Sequence, residues 1–312
     1  MGEKFFDTRN IILLKISEDD LNSFIVDLDI ANDGNPYYPL DELASSIINA
    51  LPEYVFAQYS DSKISTINIV QRLKEAALSI YKIKEYEIMK KFYIDKDKTV
   101  ENIINNLPEY KRGEFGEILL HLLLRDFKGT IPLISKVYFK DSYSIPAHGF
   151  DAVHISPNEK ILWLGESKFY KSARSGINEL IKDLHNHFDK DFLNDQFIII
   201  KKNLDNNSIP QRDKWINILS TSQKLKEQIK FINIPLLCTY EDDIYNKFSD
   251  LSDDNAVKYY ETNITNLKQY FDNNNNHPLK QRLNIILFLF PVRNKLELVK
   301  ILHEKLWHMQ SL

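Results

Sequence analysis

The sequence predicts an α/β protein, a mixed sheet flanked by helices and preceded by an N-terminal α+β region. Three observations lead there. Beyond residue 110, short apolar runs of strand length alternate with segments of helical periodicity. Residues 161–164 are apolar at every position, the pattern of a strand covered on both faces. Before residue 110, a strand pair gives way to a long stretch of helical periodicity. The expected division is 1–110 and 111–312, and 312 residues are enough for one large core or two smaller ones.

Taken in order, Ile11–Ile16 and Ser23–Ile30 read as strands joined by the polar turn Ser17–Asp20. Asn32-Asp33-Gly34-Asn35-Pro36 breaks the chain. Helical spacing runs from Leu40 to Lys91, with Pro52 near one boundary, and Asp95–Pro108 reads as a polar connector. A helix is expected over Arg112–Phe127. Strands follow at Ile134–Phe139, Phe150–Ile155 and Ile161–Lys168, then a helix at Ala173–Phe188. Further strands are expected at Phe197–Lys202, Ile234–Tyr240 and Ile285–Phe290, the last closed by Pro291. Helices at Val257–Phe271 and Lys295–Trp307 complete the reading, with Asp272–Asn276 as a polar loop.

Composition narrows the function classes. The single cysteine, Cys238, excludes an intrachain disulfide framework and a cysteine-based zinc cluster, and its apolar surroundings mark it as a buried filler. The sequence holds no His-x-x-x-His, Walker or Gly-x-Gly-x-x-Gly pattern, which argues against a zinc site, an NTPase or a dinucleotide enzyme. Met1–Lys4 opens no signal-peptide pattern, and the longest apolar run, Ile285–Phe290, falls far short of the roughly 20 residues that span a bilayer. A soluble, cytoplasmic protein without a membrane partner is expected. Net charge is −4. A protein that grips DNA unaided usually carries a basic surface, so any such surface here is local, which leaves room for a partner that delivers nucleic acid.

The residues that carry chemistry lie between Phe150 and Lys168. In Ile161-Leu162-Trp163-Leu164-Gly165-Glu166-Ser167-Lys168, alternation puts Leu162, Leu164, Glu166 and Lys168 on one face. An acid and a base thus sit together at the end of a buried strand, where charge is costly unless paired or bound to a metal. Strand ends are also where open α/β sheets bind ligands. Glu-x-Lys alone reads most simply as a structural ion pair; what lies upstream favours a site. Asp151 opens the preceding strand, within Pro146-Ala147-His148-Gly149-Phe150-Asp151, and a hairpin at Ser156–Lys160 turns that strand antiparallel to the next. Asp151 then comes beside Glu166. Two carboxylates and a backbone carbonyl, that of Ser167, make an all-oxygen set suited to Mg2+ or Mn2+. Such an ion acidifies water and stabilises charge on a phosphate under attack. Lys168 is placed to orient the water and stabilise developing charge, or to assist as a base.

This order of helix, strand, acid-bearing strand, Glu-x-Lys strand and helix resembles the PD-(D/E)xK nuclease superfamily and its restriction-endonuclease-like fold. The chain departs from the motif in one respect: Phe150 directly precedes Asp151, and Pro146 lies five residues ahead of it. A closer resemblance rests on Gly113-Glu114-Phe115-Gly116-Glu117-Ile118-Leu119-Leu120-His121, on Pro146 to His154 and on Leu162 to Lys168. These stretches look like the HamA-type effector nucleases of Hachiman anti-phage systems. The resemblance implies a metal-dependent DNA endonuclease partnered with a HamB-type helicase, which restrains it until phage attack or DNA damage. The superfamily resemblance implies a glutamate from the Arg112–Phe127 helix, on which Glu114, Glu117, His121 and Arg125 form the polar arc. Gly116-Glu117 is the better positional match, so Glu117 is expected as the fourth catalytic residue, with Glu114 in reserve; a solvated face is the plain alternative.

Phe169-Tyr170-Lys171-Ser172-Ala173-Arg174 follows the site and suits phosphate contact, or a solvated helix start. His185-Asn186-His187 is not expected to act as a catalytic unit. His148 and His154 could support the site, though alternation sends His154 to the face opposite Asp151. Two rival readings stand beside the nuclease: a restriction-type endonuclease and a catalytically silent nuclease-fold scaffold. A neighbouring helicase gene would favour the Hachiman reading, and a methyltransferase gene the restriction reading.

Overall fold

The computed structural model describes residues 8–56, 68–83, 86–106, 113–134, 149–156, 158–204, 212–220 and 222–312. The strands among them are β1 (Ile12–Ser17), β2 (Leu21–Val26), β3 (Asp29–Ile30), β4 (Pro36–Tyr37), β5 (Ile131–Ile134), β6 (Ala152–Ser156), β7 (Ile161–Phe169), β8 (Ile232–Glu241) and β9 (Asn284–Val292). Seven of them form one mixed sheet in the order β1-β2-β9-β8-β7-β6-β5, and β3 pairs with β4 in a separate ribbon. Strands β2, β9, β8 and β7 run parallel, while β1 and β6 run antiparallel to their neighbours. The C-terminal ends of four adjacent strands therefore lie along the same side of the sheet. Residues before and after position 110 share this one sheet.

Thirteen α-helices are described. The first five are α1 (Leu40–Asn49), α2 (Leu51–Phe56), α3 (Ile69–Ile80), α4 (Tyr86–Tyr93) and α5 (Glu101–Asn105). Then come α6 (Glu114–Lys128), α7 (Ala173–His187), α8 (Lys190–Asn203), α9 (Arg212–Ile218), α10 (Leu225–Gln228), α11 (Ile244–Lys247), α12 (Asp254–Asn274) and α13 (Lys295–Gln310). Two glycines show how the sheet is sandwiched. A Cβ at Gly116 of α6 would lie 3.5 Å from the side chains of Ser167 and Phe169, whereas one at Gly176 of α7 would lie 2.6 Å from Cys238 Sγ and 3.9 Å from Lys168 Cβ. Ser167 and Lys168 project to opposite faces of β7, so α6 covers one face and α7 the other. Helices α1 and α2 pack on α6, and α12 packs on α7.

Several expectations are corrected. Phe197–Lys202 is helix, not strand: it belongs to α8, whose cap residue Asp189 accepts from the N–H groups of Asp191 and Phe192. Leu193, Phe197, Ile200 and Leu204 are buried at helical spacing, and that burial overrides the strand preference of a Phe-Ile-Ile-Ile run. The polar connector contains α5 and a short 3-10 turn, Lys98–Val100. The asparagine run is helical as far as Asn274. The strand expected from Ile134 instead ends there, as β5; the rest of that expectation lies outside the described residues. Pro291 sits inside β9 rather than beyond it. Pairing with β2 stops at Leu289, so the residue without an N–H falls where that edge has no ladder to lose. Tyr245 bridges the gap, its hydroxyl accepting from Val26 N–H (3.0 Å) and donating to the Pro291 carbonyl (3.1 Å).

Candidate active site

The strand ends assemble the predicted residues. In the antiparallel β6–β7 pair, Ala152 faces Gly165, so Asp151 enters the sheet next to Glu166. Asp151 and Glu166 are 6% and 2% exposed. Gly165 fixes the approach, because a Cβ there would come within 2.8 Å of Leu120 Cδ2 on α6 and 3.0 Å of Pro235 Cγ on β8. Asp151 Oδ2 accepts two hydrogen bonds from Ser167, from its N–H (2.9 Å) and its hydroxyl (3.1 Å). Ser167, expected to contribute only its carbonyl, thus also anchors the first carboxylate.

On the face covered by α7, each charged residue of Glu-x-Lys has its own partner. Glu166 Oε1 lies 2.6 Å from His187 Nδ1. The Lys168 ammonium pairs with the Asp183 carboxylate. Burial alone would lower the Lys168 pKa. The hydrogen bond and charge of Asp183, then the charges of Asp151 and Glu166, outweigh burial and raise it above the ordinary lysine value. Lys168 is therefore a cation at neutral pH, suited to stabilising negative charge rather than taking a proton.

Glu117 lies in the first turn of α6, and its Oε2 accepts a 2.7 Å hydrogen bond from the Tyr54 hydroxyl of α2. The Tyr54 pKa is raised well above the ordinary value, first by burial and then by the charges of Glu117, Asp151 and Glu114. Glu117 thus acts on this buried phenol by direct contact, and Asp151 and Glu114 act on it through their charge. The rest of the polar arc on α6 is not a solvated face. His121 and Arg125 are 1% and 3% exposed and belong to a separate buried network.

The family model for HamA matches residues 3–306. The chain belongs to the HamA family. It is accordingly a component of the Hachiman anti-phage defence system. Among curated proteins, none matches the chain.

In this HamA chain, a divalent cation is tested by the donors present. Among the described residues, no three His, Cys, Asp or Glu side chains group closely enough to form a ready cage. Asp151 and Glu166 nonetheless fit Mg2+, which takes one or two carboxylates and leaves its other positions to water and substrate phosphate. Both acids are buried at a strand end, and both are hard oxygen donors.

Two residues at this end of the HamA chain were missed by the sequence reading, Asp183 and His187. His187 belongs to the His185-Asn186-His187 tripeptide, yet His185 points elsewhere, with its Nε2 2.8 Å from Asn276 Oδ1. The tripeptide is not a unit, but one of its histidines touches Glu166. The available signal was their spacing of four, which puts an acid and a histidine on one helical face next in sequence to the Glu-x-Lys strand. His154 lies in the buried network behind α6, its Nε2 3.1 Å from His121 Nδ1, as strand alternation suggested. His148 lies outside the described residues. Of the bases expected at phosphate, Lys171 is 3.8 Å from Glu241, and Arg174 stands 5.1 Å over the ring of Tyr270. Cys238 is fully buried, with its pKa pushed up to about 12 by burial, which fits a filler. Among the described residues, no helix is long and apolar enough to cross a membrane.

Proposed function

We propose that this chain is the metal-dependent deoxyribonuclease of its defence system, an endonuclease that hydrolyses DNA phosphodiesters. The observation that carries this reading is the meeting of Asp151, Glu166 and Lys168 at the C-terminal end of a buried central strand. Two buried carboxylates beside a partly exposed lysine are the set that a phosphate-bound cation and its transition state need, and buried carboxylates are costly unless paired or bound to a metal. Asp151 and Glu166 hold Mg2+ or Mn2+. When bound, the ion supplies an acidified water and neutralises charge on the scissile phosphate. Ser167 orients Asp151 by two hydrogen bonds. The Lys168 ammonium aligns the nucleophile and stabilises the extra negative charge of the transition state. Glu117, held by Tyr54, supports the acidic side of the site.

The same proposal includes restraint by a HamB-type helicase. With a net charge of −4, the chain is poorly equipped to capture DNA unaided. The N-terminal region, which supplies Tyr54 to the site, is the natural docking surface. A partner that favours a restrained state 99 to 1 from an even start needs only about 2.7 kcal/mol of differential binding.

The test is cleavage of plasmid DNA by the purified protein with Mg2+, with EDTA and with Ca2+, alone and mixed with the helicase. Cleavage with Mg2+ alone, slowed by the helicase, is expected. Full activity after stripping metal with EDTA would remove the metal mechanism. Equal rates with and without helicase would remove the restraint and leave the nuclease reading standing.

A further inference from the structure

Glu166 and Lys168 are neighbours of opposite charge on one face of a strand, and nothing in the strand itself keeps them from neutralising each other. Helix α7 does so. It carries Asp183 and His187 one turn apart on the face that meets β7, and each takes one member of the pair: His187 Nδ1 lies 2.6 Å from Glu166 Oε1, and Asp183 is bonded to the Lys168 ammonium. The histidine is also held as a rigid group. Its ring stacks on Phe192 at 4.7 Å and 15°, and Phe150 meets it edge-on at 6.3 Å. Phe150 directly precedes Asp151 in the chain, so the residue that packs the imidazole also introduces the other carboxylate. Both partners are largely covered, with side chains 22% exposed for His187 and 17% for Asp183.

We propose that His187 and Asp183 are positioning residues of the active site: His187 aims the Glu166 carboxylate at the cation, and Asp183 holds Lys168 away from Glu166 and toward the reacting phosphate. This rests on the nuclease reading above. A partner that hydrogen-bonds a metal-binding carboxylate fixes its orientation, and losing such a partner typically costs about 10- to 100-fold in metal affinity or activity. The two roles separate experimentally because, of Glu166 and Lys168, only Glu166 binds the ion.

The experiment is Mn2+ binding by calorimetry on the full chain without DNA, with plasmid cleavage measured in parallel. The proteins are the wild type, Glu166→Ala, His187→Ala, His187→Asn, Asp183→Ala and Asp183→Asn. Asparagine keeps an N–H donor near the place of Nδ1. The wild type is expected to bind Mn2+ and Glu166→Ala to lose binding. His187→Ala is expected to weaken binding about 10-fold or more, and His187→Asn to recover most of that loss. Asp183→Ala and Asp183→Asn are expected to lose about 10-fold or more in kcat when cleavage is measured at saturating Mn2+, beyond any loss of Mn2+ affinity. Wild-type Mn2+ affinity in His187→Ala, or equal weakness in His187→Ala and His187→Asn, overturns the histidine's role. Unchanged kcat in both Asp183 variants overturns the aspartate's. If the wild type binds no Mn2+, the nuclease reading falls and this inference with it. If the wild type binds and the α7 variants match it, only the inference falls.

Discussion

Two buried polar clusters lie on either side of β6, and they use nearly the same side chains. At the strand end, Asp151, Glu166, Lys168, Asp183 and His187 combine three acids, a lysine and a histidine. Behind α6, Glu53, Asp126, Arg125, His121 and His154 combine two acids, an arginine and two histidines. In the second cluster Arg125 is matched on all sides: Nη1 to Glu53 Oε2 at 2.6 Å, Nε to Asp126 Oδ1 at 2.7 Å and Nη2 to Asp126 Oδ2 at 3.0 Å. Thr8 caps Asp126 through its N–H and hydroxyl, and Thr130 meets His154 Nδ1 at 2.8 Å. Burial would raise the Asp126 pKa, but the bonds and charge of Arg125, then those of Thr8, lower it to about 2. Arg125, His121 and His154 of this network are 3%, 1% and 2% exposed, and only Glu53 reaches the surface with a side chain 18% exposed, whereas at the strand end it is Lys168 and His187 that keep side chains 24% and 22% exposed. The difference teaches how to tell a site from a scaffold. In the second cluster the cation and both histidines are sealed in; in the proposed site the cation and the histidine stay reachable.

That contrast can be broken by matched substitutions. Glu166→Ala and Lys168→Ala are expected to cut cleavage at least about 100-fold while leaving the melting temperature near wild type, because each removes a group that the proposed mechanism sets on the cation or the transition state. Plasmid cleavage and a thermal melt check both halves of that statement. Arg125→Ala is expected to do the reverse. It leaves the buried Asp126 and the partly buried Glu53 without their cation, which costs about 3–5 kcal/mol in urea unfolding, and any folded fraction should bind Mn2+ as the wild type does. A stable Arg125→Ala protein would mean that the second cluster is not closed.

Gly165→Ala probes the wall between the two clusters. The added Cβ would meet Leu120 on α6 and Pro235 on β8, so a loss of about 1–3 kcal/mol is expected from overpacking, with a shift of β7 that also weakens metal binding. Unfolding and calorimetry on one preparation test this; a neutral substitution would show that α6 can retreat.

The last expected effect concerns pH and leaves the site untouched. Burial lowers the His154 pKa well below its ordinary value, and it lowers that of His303, which bonds to Tyr81, to about 4 from 6.5. Below 6.5 the unfolded chain takes up protons that these folded histidines refuse. Their contribution is therefore complete above 6.5 and lost as pH falls toward 4. For His303 this amounts to about 2 kcal/mol between pH 7 and 5. His303→Asn is expected to flatten that part of the stability profile, and an unchanged slope would contradict it.

Much of this was legible in the chain. Helix α6, strands β6 and β7 and helix α7 follow from periodicity alone, because a run such as Ile161-Leu162-Trp163-Leu164 can hardly be anything but a covered strand. Asp151 and Glu166 follow from the hairpin that joins their strands. What stayed hidden depends on which elements face each other. No local pattern says that α7 turns Asp183 and His187 toward β7, that α2 sends Tyr54 to Glu117, or that His121 and Arg125 lie under α2 rather than in water. The misreading of Phe197–Lys202 has the same origin, since four large apolar residues suit a strand until the partners of Leu193 and Leu204 are known.

Strand β2 has a further consequence, which concerns synthesis. Its register with β9 joins Leu21 to Leu287, 266 positions later in the chain (287 minus 21). At the usual 5–20 residues per second, about 13–53 s separate the emergence of the two partners from a ribosome. The N-terminal hairpin must wait through that interval while β6 and β7, already made, pair locally. A chain that stopped before residue 284 would carry Asp151, Glu166 and Lys168 but would have no β9 to seat β2 against β8. Completion of the sheet thus waits for the synthesis of β9, and chains stopped before it present an open strand edge to the quality-control machinery of the cell.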